Sequence, residues 1–274
     1  PLVPYCRHSL KPHFDYDNIF RVTKNGLDFF QDLFDYPYPY PKYEQAFVPE
    51  YNIGAMENPG LVTFTEDFIF VSGATEDDLE GRANTICHEM AHMWFGDLVT
   101  MKWWDDLWLK ESFADFMGAL GAIEANGFND AWVTFANHRK SWAYLQDQLP
   151  TTHPIVADIP HLEAAAQNFD GITYAKGAST LKQLVSYVGF NTFIEAARVY
   201  FKRFAWGNTS LQDFLDVLNE VSGRDMQTWS QAWLQTSGLS TLGTRRVYRE
   251  DGKLQDLYLT QQLPDTQPAG IGRP

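Results

Sequence analysis

The run His88-Glu89-Met90-Ala91-His92 falls inside a stretch of helical periodicity spanning 76–95, and this placement constrains the chain more than any other feature. Residues four apart are separated by about 40° around a helix, so both imidazoles leave the same face. Two rings so arranged can grip one ion, and Glu89 stands beside them within reach of a water on that ion. The helix has a clear start. Thr75 is a good N-cap, and Glu76, Asp77 and Asp78 fill the first turn, where the helix dipole is positive. Cys87 points about 100° away from His88 and reads as packing.

Two histidines leave a tetrahedral site incomplete. Glu111 follows His92 after eighteen intervening residues, on a second expected helix from about Leu107 to Glu124 that Asn126-Gly127 stops. Two helices joined by a short connection can set its carboxylate opposite the imidazoles. His88, His92 and Glu111 would then hold one zinc ion per chain with the fourth position open, as in a catalytic site. The plainer alternative is a pair of surface histidines and an unrelated Glu. His8, His13, His138, His153 and His161 lack ligand spacing.

The rest of the chain reads as α+β, with a small N-terminal sheet and a mostly helical C-terminal half. A helix over 17–34 ends before Pro37, and short runs rich in Val, Phe and Ile between Tyr43 and Val71 read as strands joined by turns. Further helices are expected over 129–147, 174–188, 190–204, 210–221 and 225–236. Alternation over 245–263 around Asp251-Gly252 reads as a hairpin. The expected organisation is a catalytic unit over 1–240. Residues 241–274 would then hold the hairpin that starts a following domain, and a flexible tail. Trp94, Phe95, Trp103, Trp104 and Trp108 are expected in the core.

Composition narrows the partners. Thirty-five acidic against 21 basic residues leave a formal charge of −14, which opposes a nucleic-acid backbone. No apolar run approaches the length of a membrane span. Two cysteines, Cys6 and Cys87, exclude a disulfide scaffold and fit a reducing, cytoplasmic location. The chain opens at Pro1 without Met or leader features, as expected of a processed product or a piece of something longer.

Over about residues 5–240 the sequence resembles the aminopeptidase N family of zinc metallopeptidases (gluzincins), and most of all its bacterial, actinobacterial members. Three runs carry the likeness: His88–Thr100 with Trp103–Ala114, then Gly54-Ala55-Met56-Glu57-Asn58, then Tyr174-Ala175-Lys176-Gly177-Ala178. The resemblance implies a thermolysin-like fold, with flanking domains that this chain lacks. It makes 54–58 the exopeptidase motif and Tyr174 the donor that stabilises the oxyanion. The substrates it implies are peptides with a free N-terminus.

Physical chemistry fits these roles. Glu89 can take a proton from the attacking water and hand it to the leaving amine. A carboxylate at Glu57 can pair with a substrate's α-ammonium, and the small residues Gly54 and Ala55 leave their backbone open to an extended peptide. Asp115, four residues after Glu111, either accepts the second imidazole proton of a ligand, His88 foremost, or is an exposed helix residue; the family pattern has its acid seven residues on, where this chain has Gly118. A thermolysin-type endopeptidase and a non-catalytic homologue are the rival readings.

Overall fold

The computed structural model describes residues 2–265 and 273. Strand β1 (Leu2–Cys6) leads into helix α1 (Tyr16–Phe34), followed by β2 (Tyr43–Val48), the short β3 (Ala55–Met56) and β4 (Leu61–Thr65). These strands form one sheet in the order β1-β2-β4-β3, with β1 and β4 parallel to β2 and β3 antiparallel to β4. The parallel partner β1 was not expected from sequence, because parallel pairing needs a crossover and leaves no local turn signature. Along β2, Tyr43, Gln45 and Phe47 turn inward in strict alternation.

Helix α2 (Glu76–His92) starts at Thr75 with a reciprocal capping box to Asp78. The expected continuation to residue 95 does not occur. The chain turns at Met93–Phe95, with the His92 carbonyl accepting from Asp97 N at 3.0 Å, and enters β5 (Val99–Met101). Helix α3 (Leu107–Glu124) is buried almost all round, from Leu107 to Ala122, as a helix at the centre of a core must be. It packs against α2 unusually closely, because Gly118 and Gly121 face that helix. A Cβ at Gly121 would lie 3.0 Å from Cys87 Cβ and Sγ, and one at Gly118 would lie 3.0 Å from the Asn84 carbonyl oxygen. This contact brings the His88–His92 face up to Glu111.

The helical half follows, with α4 (Ala131–Thr134), a π-turn over Phe135–Arg139, and α5 (Lys140–Gln146) forming one interrupted helix. A short α6 (Leu162–Gln167), not anticipated, precedes a second π-turn (Ile172–Lys176) that runs straight into α7 (Gly177–Val188). Then come α8 (Phe190–Phe204), β6 (Gly207–Thr209), α9 (Leu211–Ser222) and α10 (Met226–Trp233), with β6 pairing in parallel with β5. The terminal hairpin, β7 (Thr241–Tyr248) with β8 (Leu254–Gln262), starts four residues earlier than its sequence pattern suggested. The expected tail falls mostly outside the described residues.

Trp94, Phe95 and Trp108 are core residues. Trp103 and Trp104 are not: Trp103 is 44% exposed, with its indole N–H donated to the Ile159 carbonyl at 2.7 Å, and Trp104 is half-buried beside Phe169. Among the described residues no helix is long and apolar enough to cross a membrane.

Candidate metal centre

His88 and His92 project from the last turn and a half of α2, and Glu111 meets them from the second turn of α3. All three are buried. His88 Nε2 and His92 Nε2 are 3.2 Å apart, and Glu111 Oε2 lies 3.2 Å from His92 Nε2 and 3.6 Å from His88 Nε2. The far ring nitrogens fix the tautomers. His88 Nδ1 faces Asp115 Oδ1 at 3.2 Å and His92 Nδ1 faces the Phe95 carbonyl at 3.0 Å, and both partners can only accept. In the neutral rings each Nδ1 therefore carries the proton, and two Nε2 lone pairs and a carboxylate oxygen converge on one point. Such lone pairs repel unless a cation lies between them. Donors about 2.0–2.1 Å from a tetrahedral zinc sit about 3.3 Å from one another, so the spacing and chemistry of this set fit that ion.

The electrostatics agree. Burial disfavours charge on His88, but its bonds to Asp115 and Glu111 outweigh burial and push its pKa up to about 10, so the pocket favours positive charge. Burial also opposes ionisation of Glu111, yet His92 and Lys110 hold it well below the usual carboxylate value.

Glu89 is buried, and its Oε2 has no hydrogen-bond partner. Burial raises its pKa to about 7, against the pull of His88 and His92 and with help from Glu57 and Glu111. Its carboxylate, that of Glu57 and a His92 ring nitrogen lie within 4.8 Å of one another. Glu57 follows β3, the edge strand of the sheet, where Gly54 O accepts from Thr65 N at 2.9 Å. Ala55 and Met56 pair with β4 on one side only, so the other edge of the backbone is open among the described residues. Asn58 closes the turn after them: its carbonyl accepts from Leu61 N at 3.1 Å and its side chain donates to Thr63 Oγ1 at 3.1 Å.

Tyr174 arrives from the second π-turn. Asp170 Oδ1 accepts from the backbone N–H groups of Ile172 and Thr173, each at 3.0 Å, and Ser112 Oγ donates to the Thr173 carbonyl at 2.6 Å, which ties the turn to α3. The Tyr174 ring lies 6.2 Å from the His88 ring and nearly parallel to it, at 13°. Burial and the surrounding carboxylates raise its pKa, so the phenol keeps its proton and can donate.

Residues 19–233 match the Peptidase family M1 domain. The chain belongs to peptidase family M1. It is 54% identical over 276 aligned positions to Aminopeptidase N of Streptomyces lividans, covering all of this chain and 32% of that protein. Probable aminopeptidase 2 of Sulfurisphaera tokodaii is 39% identical over 79% of this chain, and Leucyl aminopeptidase of Saccharolobus solfataricus is 36% identical over 80%; each is covered to 28%. The chain thus spans about a third of the length of the curated relatives it matches.

This M1 domain gathers His88, His92, Glu111, Glu89 and Glu57 at one place with Asp115 and Tyr174 beside His88, whereas the pairings and hydrogen bonds of Gly54, Ala55, Met56 and Asn58 are with β4 and the turn before it. Asp115, which the sequence left undecided, is 2% exposed and faces His88. Three contributors went unforeseen. Lys110 bridges Glu57 Oε1 at 2.5 Å and Glu111 Oε1 at 3.0 Å. Burial opposes ionisation of Glu57, but His92 and Lys110 together hold its carboxyl below the ordinary value. Asp97, just past the turn that ends α2, is raised to about 7 by burial and by the charge of Glu57. Arg139 pairs with Asp115 from the first π-turn. Only Lys110 had a local signal, its adjacency to Glu111.

Proposed function

We propose that this M1 domain is the catalytic unit of a zinc-dependent aminopeptidase that removes residues from the free N-termini of peptides. The observation that carries the reading is the convergence of two imidazole Nε2 atoms and one carboxylate oxygen, none more than 3.6 Å from another. His88, His92 and Glu111 would hold one zinc ion. When bound, zinc supplies Lewis-acid polarisation of the scissile carbonyl and lowers the pKa of water toward about 7.

The remaining work belongs to the chain. Glu89, poised near neutrality with a free buried oxygen, takes a proton from the attacking water and delivers it to the leaving amine. Tyr174 donates its phenolic proton in a hydrogen bond to the developing oxyanion. Glu57 receives the substrate ammonium, and the open edge of Gly54–Met56 receives its backbone as an added strand. Asp115 holds His88 in the tautomer that presents Nε2.

One observation favours the rival reading of a zinc endopeptidase: Glu57 is already paired with Lys110. Comparing kcat/KM for a free and an N-acetylated peptide on the intact protein decides between them. Strong preference for the free amine supports the aminopeptidase, and indifference supports the endopeptidase. Residues 1–240 would form the catalytic unit, and the hairpin at 241–262 would begin a following domain. A reducing, cytoplasmic location is part of the same proposal, with which the two free thiols, Cys6 and Cys87, are compatible.

A further inference from the structure

Arg139 ends the first π-turn with its guanidinium engaged on two sides. Its Nε donates to Asp115 Oδ2 at 3.0 Å and its Nη2 donates to Asp115 Oδ1, a two-point fork on one carboxylate. Asp115 Oδ1 in turn faces His88 Nδ1. The guanidinium carbon lies 5.3 Å from the Trp142 ring centre and 5.9 Å from that of Tyr174, within the range of cation–π attraction. Asp115 is almost wholly buried, and among the described residues these partners alone orient it and balance its charge. The next helix position that faces α2, Gly118, cannot supply another acceptor, since a Cβ there would already lie 3.3 Å from His88 Cβ.

We propose that Arg139 is a positioning residue of the metal centre: its fork fixes the plane of the Asp115 carboxylate, which fixes the ring of His88. Its contact with Tyr174 gives the metal face of α2 and the turn bearing Tyr174 a common support. A lysine could supply the charge but not the planar fork. The proposal rests on the reading of His88, His92 and Glu111 as zinc ligands.

The test is the zinc affinity of the intact protein, measured by competition with a chromogenic chelator and with zinc ion alone as the probe. Arg139→Met should weaken zinc binding about 10–100-fold, the usual effect of losing an outer partner of a ligand, and Arg139→Lys should recover part of that loss. Because a lone buried Asp115 could impair folding, Asp115→Asn with Arg139→Met provides a variant without an uncompensated charge. If Arg139 acts through Asp115, adding Arg139→Met to Asp115→Asn should change affinity by less than about threefold, and the double variant should stay weaker than wild type. Wild-type affinity in Arg139→Met, or its return in the double variant, overturns the proposal and leaves the zinc reading standing. A wild-type protein that takes up no zinc at these residues overturns both.

Discussion

Lys110 Nζ stands 2.5 Å from Glu57 Oε1, so the carboxylate proposed to receive a substrate's ammonium already holds an ammonium of the chain's own. The same Nζ lies 3.0 Å from Glu111 Oε1. Recognition of an amine and binding of a metal are thus joined through one side chain, and a substrate amine must either share Glu57 with Lys110 or take its free oxygen.

Glu57→Ala in the intact protein should lower kcat/KM for free peptides by on the order of 2–5 kcal/mol of transition-state stabilisation, the range for a buried charge pair that loses one partner. N-acetylated peptides bring no positive charge and should be affected much less. Equal losses on the two substrates would sink the amine-recognition role.

Glu89→Gln should reduce turnover by about 10²–10⁴-fold while leaving one zinc bound, since the residue moves protons and is not among the converging donors. Elemental analysis beside a peptidase assay checks both halves. Loss of metal from a folded variant would show that Glu89 has another role.

A pH effect is expected at His153, whose Nε2 lies 2.7 Å from Asp170 Oδ2 in the support of the Tyr174 turn. Burial and Lys176 lower its pKa, but Asp170 outweighs them and the net shift is upward. The folded state therefore holds the proton more tightly than the unfolded one. The resulting stability is fully present below the unfolded value of about 6.5 and is lost as pH rises through the folded value. The difference in melting temperature between wild type and His153→Gln should accordingly shrink from acid to alkaline pH; a constant difference would mean that charge plays no part.

Gly121→Ala should destabilise the fold by about 1–3 kcal/mol in denaturant unfolding, because the new methyl meets Cys87 Cβ and Sγ at 3.0 Å. Adding Cys87→Ala removes the sulfur and should restore part of the loss. A neutral single variant would show that α2 and α3 can separate freely.

The sequence made legible whatever one helix or one turn encodes. The 40° offset of His88 and His92, the cap at Thr75 and the expected start of α3 at Leu107 are local properties, and each is found in the structure. Arg139 left no trace in the pattern. It reaches Asp115 across 24 positions from a different helix, and nothing in helical periodicity selects one arginine over its neighbours. β1 was hidden for a related reason, since its partner β2 lies beyond the whole of α1. Glu57 lay between these cases: its motif marked it, but its bond to Lys110 belongs to tertiary packing.

The two π-turns make chain length a chemical variable. In the second, Lys176 N reaches back five residues to the Gly171 carbonyl at 2.9 Å, one residue more than an α-helical turn spans. Deleting one residue between 172 and 176 would turn this bond into an ordinary helical one, leaving Gly171 and α7 in register but shifting the residues inside the turn by about 100° around the axis. Tyr174 would then point elsewhere while the core face of α7 stayed in place. The same count governs Arg139 in the first turn. Substitutions there test chemistry, whereas insertions and deletions reset direction, so length differences are best absorbed in the loop at 147–161.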